Sequence, residues 1–247
     1  MMCELFGASS STSRGLSRWL VPFRSRGGES ADNPDGWGIA FWSGGQPSIE
    51  KSPEPGWESQ RFLQLSESVN SPLVIAHVRK ARHPPVPGMR NTHPFSHRCC
   101  DREWVFAHNG LVSDIVDWPV ANPLCHPVGD TDSEHAFCRL LAGIVGSYDA
   151  ADHDQWLGRL EHLAGIIATA GKFNFLLSDG RILIAYGDDR LHYLEESDKH
   201  GHLALVATEP LTDDSWHPFA PRQLRVYQEG TLLVSHLPQG SADRFPA

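Results

Sequence analysis

No apolar run in the 247-residue chain comes near the roughly 20 residues that a helix needs to cross a bilayer. The opening residues MMCELFGASS lack a basic segment followed by an apolar stretch, so they do not read as a secretory signal. A cytoplasmic protein with no membrane partner is expected. Basic charge is also short, with 21 Lys and Arg against 30 Asp and Glu and a formal net charge of -9. A duplex-binding surface needs a basic excess or stripe, so a nucleic-acid partner is not expected. Arg14, Arg18, Arg24 and Arg26 lie close together without interleaved aromatics and read as a solvated face plus one structural arginine. Cysteine is sparse and odd in number, five in all, with Cys99 and Cys100 adjacent. That is no secreted disulfide framework, and reduced thiols are expected. Repeats, low-complexity tracts and clear linkers are missing too. With 40% hydrophobic and 21% charged residues, the composition is that of a folded chain. Its length suits one domain, residues 1–247, with a sizeable core.

Periodicity marks the elements. Residues 4–8 read as a short strand directly after Cys3, and Leu16, Trp19, Leu20 and Phe23 have helical spacing. Trp37 to Trp42 and Leu73 to Val78 read as buried strands, with a helix between them at Gln60 to Val69. Residues 82–91 (RHPPVPGMRN) cannot be regular structure, because proline fixes φ and removes a donor. Trp104 to Ala107 is a further strand. Thr131 to about Gly146 is the clearest helix, with Thr131 and Glu134 in a capping-box pattern and Phe137, Leu140, Leu141 and Ile144 as its apolar stripe. A second helix runs from about Gln155 to Ala170. Phe173 to Leu177 and Arg181 to Tyr186 flank Asp179-Gly180, a hairpin signal. Strands at Leu203 to Ala207, Leu224 to Val226 and Leu232 to Val234 complete an α+β chain.

Four places carry residues with chemical potential. A thiol on the first residue of a mature chain has its own α-amine as general base, titrating at about 7.7–8. Cys3 would qualify, although a cysteine near a terminus is ordinary. Arg79, at the end of a strand, can hold a carboxylate bidentately or simply lie on the surface. Asn109-Gly110 is on its own a tight-turn dipeptide, or else an oxyanion hole made of the Asn carboxamide and the Gly N–H. Asp130 and Asp132 sit at a helix start, where capping accounts for Thr131 and Glu134 and leaves one carboxylate for a substrate ammonium.

In order along the chain stand Cys3, Arg26-Gly27, Gly36-Trp37-Gly38-Ile39, His77-Val78-Arg79, Thr92-His93, His108-Asn109-Gly110 and Thr131-Asp132-Ser133-Glu134. Taken together they resemble the class II glutamine amidotransferases, most closely the stand-alone bacterial type that begins Met-Cys-Glu-Leu. FNFLLSDG at 173–180 and ATEPLT at 207–212 extend the likeness. The resemblance implies an N-terminal-nucleophile hydrolase fold, a four-layer αββα sandwich with two antiparallel sheets between helix layers. It implies Cys3 as nucleophile, Asn109 and Gly110 as oxyanion hole, and Arg79 on the glutamine α-carboxylate with help from Thr92 and His93. Asp132 would hold the α-ammonium. The implied substrate is glutamine or a γ-glutamyl small molecule, cleaved through a γ-glutamyl thioester, with no cofactor or metal.

Two features depart from that pattern. Lys80 to Asn91 intervene between the arginine and Thr92, a proline-rich insert whose Lys80, Arg82 and Arg90 favour an anionic leaving group. Two methionines precede Cys3. With nothing after residue 247 to consume ammonia, the chain is expected either to serve a separate ammonia-accepting synthase subunit or to hydrolyse a γ-glutamyl amide itself. Two rival readings are an inactive binding module of the same fold and a metal site at His93, His97, Cys99 and Cys100. Because the mechanism needs a free amine on Cys3, the intact mass of active, natively expressed protein should correspond to a chain beginning there. Full activity in a species retaining Met2 would refute the amine as base.

Overall fold

The computed structural model describes residues 3–82, 87–118 and 125–237. Met1, Met2, and Pro84 and Pro85 of the insert lie outside the described residues. Strands β1 (Glu4–Gly15), β2 (Trp37–Ser43), β3 (Gln46–Ser52) and β4 (Asn70–Val78) alternate with helices α1 (Ser17–Ser25) and α2 (Gln60–Ser68). Then come β5 (Phe95–Cys99), β6 (Arg102–Leu111), α3 (Asp132–Ile144) and α4 (Asp154–Ile167). The chain closes with β7 (Lys172–Ser178), β8 (Ile182–Gly187), β9 (His192–Asp198), β10 (Gly201–Ala207), β11 (His217–Pro218), β12 (Gln223–Gln228) and β13 (Thr231–His236). One sheet has the order β11-β9-β10-β1-β4-β2-β3 and the other β13-β12-β8-β7-β6-β5, every pairing being antiparallel.

Alternation within the strands builds three apolar layers. On β1, β4 and β10, Phe6, Val74, Ala76, Val78, Leu203 and Leu205 face Trp19, Leu20 and Phe23 of α1 and Phe62 and Leu65 of α2. The neighbouring positions Leu5, Leu73, Ile75, Ala204 and Val206 turn the other way and meet Val105, Ala107, Leu176 and Leu183 of the second sheet. That sheet's far side, with Trp104, Phe106, Phe173 and Phe175, packs on Phe137, Leu140, Trp156 and Leu160 of α3 and α4. Helix, sheet, sheet, helix is the αββα sandwich that the resemblance implied. A period of 2 makes each strand serve two cores at once. At about 1.5–3 kcal/mol per fully buried large apolar side chain, these layers dominate the favourable side of folding.

Most predicted elements are present. The differences have local causes. β3, β5, β9 and β11 are edge or near-edge strands rich in polar residues, so they carry weak alternation. The capping pattern at α3 is half as expected: Thr131 Oγ1 accepts from Glu134 N at 3.2 Å, but Glu134 Oε2 accepts from Gly129 N at 2.7 Å instead of from the cap residue. The structural arginine is Arg24, buried, donating to Gly56 O and Trp57 O with its guanidinium over the Trp57 ring. The expectation of reduced thiols throughout is corrected: Cys125 and Cys138 form a disulfide, their Cα atoms 5.0 Å apart. A spacing of 13 residues gave no sign of this, because α3 turns Cys138 back over the segment that precedes it. No helix among the described residues is long and apolar enough to cross a membrane.

Candidate active site

The site lies at one end of the layer between the two sheets, and strand alternation puts it there. Leu5, Ile75, Ala107 and Val206 point into that layer. Two residues on from each, or two before, stand Cys3, His77, Asn109 and Thr208, which share its faces. β1 and β4 pair with Glu4 opposite Val78, so the next step outward sets Cys3 beside Arg79. The contact is direct: Lys80 N–H donates to Cys3 Sγ at 3.2 Å, and the thiol lies 3.4 Å from Lys80 O. Cys3, Arg79, Lys80, Arg82, His93, His108, Gly110, Leu111, Thr131, Asp132 and Ser133 line one cleft. Larger grooves of about 450 Å³ beside α4 and about 510 Å³ near Ser9–Ser13 contain none of these groups. Chemistry therefore identifies the site, and volume does not.

Glycines make the close approaches possible. A Cβ on Gly38 would stand 2.0 Å from His93 O, so the Gly36-Trp37-Gly38-Ile39 strand needs a bare backbone where residues 92–94 cross it. Lys51 fastens the same crossing, its Nζ donating to Thr92 O at 2.7 Å and Pro94 O at 3.2 Å. Gly110 has φ +157°, and a Cβ there would fall 1.8 Å from Lys172 O. Asn109 and Gly110 do not form a hairpin turn, the commoner reading of that dipeptide. They lie in β6, paired with Asn174 and Phe173 of β7.

Burial sets the electrostatics. Burial pushes the Cys3 thiol up, against the Lys80 backbone N–H and the positive charge of Arg79, which pull the other way. His77 is pushed down to about 3, first by burial and then by Arg79. His93 is held well below its usual range by burial and by the neighbouring His77 and His108. His108 is lowered mainly by burial. Its Nε2 lies 3.2 Å from Lys172 O, which only accepts, so Nε2 carries the proton and Nδ1 accepts from Ser133 Oγ at 2.8 Å. The three imidazoles are thus neutral near pH 7, and none is a good base for a thiol. The charged groups among the residues lining the cleft are Arg79, Lys80, Arg82 and Asp132.

Of the residues singled out in sequence, Cys3, Arg79, His93, Gly110 and Asp132 line the cleft together. Asp132 stands at the N-terminus of α3, where a carboxylate is favoured by the helix dipole. Its Oδ2 accepts from Val112 N at 2.7 Å and its Oδ1 from Ser133 N at 2.9 Å, with Ser133 Oγ 3.4 Å from the same Oδ1. Asn109 is fully buried behind the cleft. Thr92 is turned away, its hydroxyl donating to Gly88 O at 2.9 Å. Sequence reasoning missed Lys51, Ser133, Asn174 and Thr208. The last three lay inside quoted motifs, and nothing in their spacing set them apart. The alternative metal cluster is not assembled: among the described residues no three metal-capable side chains converge, His93 packs on Phe95, and Cys99 Sγ lies 2.8 Å from Cys100 Sγ.

Comparison with known proteins places the chain in a family. Residues 2–203 match the model of the class II glutamine amidotransferases. The chain is 31% identical to the Escherichia coli protein YafJ, which carries a glutamine amidotransferase name, over 94% of this chain and 100% of that one. It is 31% identical to the γ-glutamyl-hercynylcysteine sulfoxide hydrolase of Mycobacterium tuberculosis H37Rv, over 82% of this chain and 79% of that one. The crystal structure of a predicted glutamine amidotransferase from Pseudomonas aeruginosa PA01 superposes with a TM-score of 0.70 at 27% identity, covering 94% of this chain and 100% of that one. The chain belongs to the class II glutamine amidotransferases, and its αββα sandwich is that of the N-terminal-nucleophile hydrolases.

Proposed function

We propose that residues 1–247 form one amidohydrolase domain that cleaves the γ-amide of glutamine or of a γ-glutamyl compound, with Cys3 as an N-terminal nucleophile. The observation that carries this reading is a single cleft that holds a thiol, an arginine and an aspartate of opposite charge, and the backbone of Gly110. A glutamate head group carries a carboxylate and an ammonium, and Arg79 and Asp132 complement them. Each charge-assisted hydrogen bond contributes about 1.5–3 kcal/mol. The carboxylate pairs with Arg79, and His93, being neutral, supplies shape and not charge. The γ-carbonyl then falls toward Cys3.

Because burial keeps Cys3 as a thiol and the histidines are poor bases, the α-amine takes the thiol proton. The sulfur attacks the γ-carbonyl carbon, and the oxyanion draws on Asn109 and the Gly110 N–H. The C–N bond breaks as the new ammonium returns its proton to the departing amine, leaving a γ-glutamyl thioester. The amine next deprotonates a water, which attacks the thioester, and glutamate leaves with the thiol restored. Cys3→Ala should abolish glutamate release with the far-ultraviolet spectrum unchanged. A diazo-ketone analogue of glutamine should add to Cys3 alone; labelling of Cys99 or Cys100 in its place would sink the assignment.

Arginine and lysine are not equivalent on a carboxylate, since only the planar fork binds both oxygens. Arg79→Lys should lower kcat/KM by about tenfold or more, on the order of 1.4 kcal/mol. Equal turnover of substrates lacking the α-carboxylate would count against the pocket.

The leaving amine is read by other groups. Lys80 and Arg82 line the cleft at the start of the insert. At its other end the Asn91 carboxamide accepts from Asp130 N at 2.9 Å, which ties the insert to the start of α3. Positive charge at that mouth favours γ-glutamyl peptides over glutamine, and hydrolysis without a partner synthase. Replacing residues 82–90 by a short Gly/Ser loop should lower the ratio of kcat/KM for a γ-glutamyl dipeptide to that for glutamine. If glutamine is preferred from the start and the ratio does not move, an ammonia donor serving a separate synthase subunit is the better reading.

A further inference from the structure

Behind the cleft, two buried side chains that play no part in the chemistry above reach the two oxyanion donors. Thr208 follows β10 and is fully buried between the sheets. Its backbone N–H donates to Leu5 O at 3.1 Å, and its Oγ1 accepts from Leu5 N at 2.9 Å, two residues from the nucleophile. The same Oγ1 lies 3.2 Å from the carboxamide nitrogen of Asn109. One hydroxyl thus joins the strand of Cys3 to the side chain of the oxyanion residue.

Proton counting sharpens the contact. As placed, Thr208 Oγ1 accepts twice and its own proton has no acceptor, while Asn109 Oδ1 is buried without a partner. Exchanging the amide O and N resolves both: Thr208 then donates to Asn109 Oδ1, and the whole Asn109 N–H₂ is free to donate elsewhere. In either orientation the hydroxyl is the polar group that holds the carboxamide.

Asn174 acts on the other donor. It stands opposite Asn109 in the β6–β7 ladder and is fully buried. Its Nδ2 donates to Asn109 O at 3.1 Å and to Asp189 Oδ1 at 2.8 Å, and its Oδ1 accepts from Asp188 N at 2.8 Å and Asp189 N at 3.1 Å. Asn109 C=O and Gly110 N–H belong to one planar peptide unit and point in opposite directions. Fixing the carbonyl therefore aims the N–H.

We propose that Thr208 and Asn174 are positioning residues that preorganise the oxyanion hole, Thr208 by holding the Asn109 carboxamide and Asn174 by fixing the Asn109–Gly110 peptide plane. The proposal rests on the amidohydrolase reading for its kinetic consequence, though not for its geometry. A misaligned donor loses its value in the transition state and leaves ground-state binding alone.

Thr208→Val removes the hydroxyl at nearly constant shape. With glutamine and γ-glutamyl-p-nitroanilide as substrates, kcat should fall about tenfold or more while KM stays within about twofold, since one oxyanion donor is worth about 10²–10³ in rate. Thr208→Ser should recover kcat to within about threefold, and in an Asn109→Ala background Thr208→Val should have no further effect, because both act through the same carboxamide. Alkylation of Cys3 by iodoacetamide passes through no oxyanion, so its rate should be unchanged. Asn174→Asp keeps the acceptor for Asp188 N and Asp189 N but loses the donors to Asn109 O and to Asp189 Oδ1, so it is made in an Asp189→Asn background, where no second carboxylate faces it; relative to Asp189→Asn alone it should show the same split between kcat and KM.

A parallel fall in alkylation rate, a rise in KM in place of a fall in kcat, or additive losses in the double variant would each overturn the proposal. The side-chain amide resonances of Asn109, assigned by their loss in Asn109→Ala, give a readout that needs no turnover. They should shift and exchange faster with water in Thr208→Val and not in Thr208→Ser; no change would refute the tether. Failure of the unmodified protein, with Cys3 exposed, to turn over any γ-glutamyl amide would refute the functional reading and leave that spectroscopic test standing.

Discussion

The pairing of β1 with β4 on one side and β10 on the other is the constraint on which the site depends. β1 is a central strand whose residues 4–10 are buried, so its register cannot slip without turning Leu5 and Phe6 into the wrong layers. That register delivers Cys3 to Arg79 and Leu5 to Thr208 in one move. A one-residue error would carry the thiol to the helix side of the sheet and away from Asp132 and Gly110. The apolar layers thus do for the site what no local motif could: they fix which face each polar residue occupies.

Polar groups at the end of an apolar layer are expensive unless paired, and here the pairing is selective. Histidines 77 and 93 stay neutral because burial, with Arg79 close by, makes a second positive charge too costly, and burial holds His108 down against the pull of Asp132. Arg79 remains the cation because its ordinary range lies so far above neutrality that burial lowers it without discharging it. The cleft is left with fixed opposite charges and a protonated thiol, and with no internal imidazole strong enough to activate that thiol. The proposed use of an α-amine on Cys3 as base answers this arrangement directly.

The fold was legible in the sequence where residues serve two cores. Phe6, Val74, Val105 and Leu176 alternate because each strand is covered on both sides, and α3 announces itself through Thr131 and the stripe from Phe137 to Ile144. The polar edge strands were not, since β3 and β9 have little to bury. Cys3, Arg79, Asn109, Gly110 and Asp132 were legible by their order, which matches a family pattern, and not by spacing. Taken singly, Asn109-Gly110 reads as a turn, and only the β6–β7 ladder shows otherwise. Thr208 and Asn174 were illegible for a different reason. Their partners lie 99 and 65 positions away in sequence, and a threonine after a strand or an asparagine within one has no local signature. The Cys125–Cys138 bridge was hidden in the same way, by a turn of chain that composition does not record.

The supporting contacts divide by what they touch. One part of the cleft is set by backbone geometry: Arg79 between Gly36 and Asp35 through its own main chain, Asp132 on two backbone N–H groups, and Gly110 in a ladder. Such positions tolerate little change, as the close approaches at Gly38 and Gly110 show. The described ends of the insert are held otherwise, by the Lys80–Asp32 ion pair, exposed on the Asp32 side, by the Asp35 carboxylate on Ala81 N, and by the Asn91 carboxamide on Asp130 N. An exposed ion pair contributes only about 0–1 kcal/mol, so the hydrogen bonds to Asp35 and from Asp130 fix those ends at least as firmly as Lys80–Asp32 does. The close-packed backbone under Arg79, Asp132 and Gly110 and the side-chain tethers at the ends of the insert are thus two different ways of building the walls of one cleft.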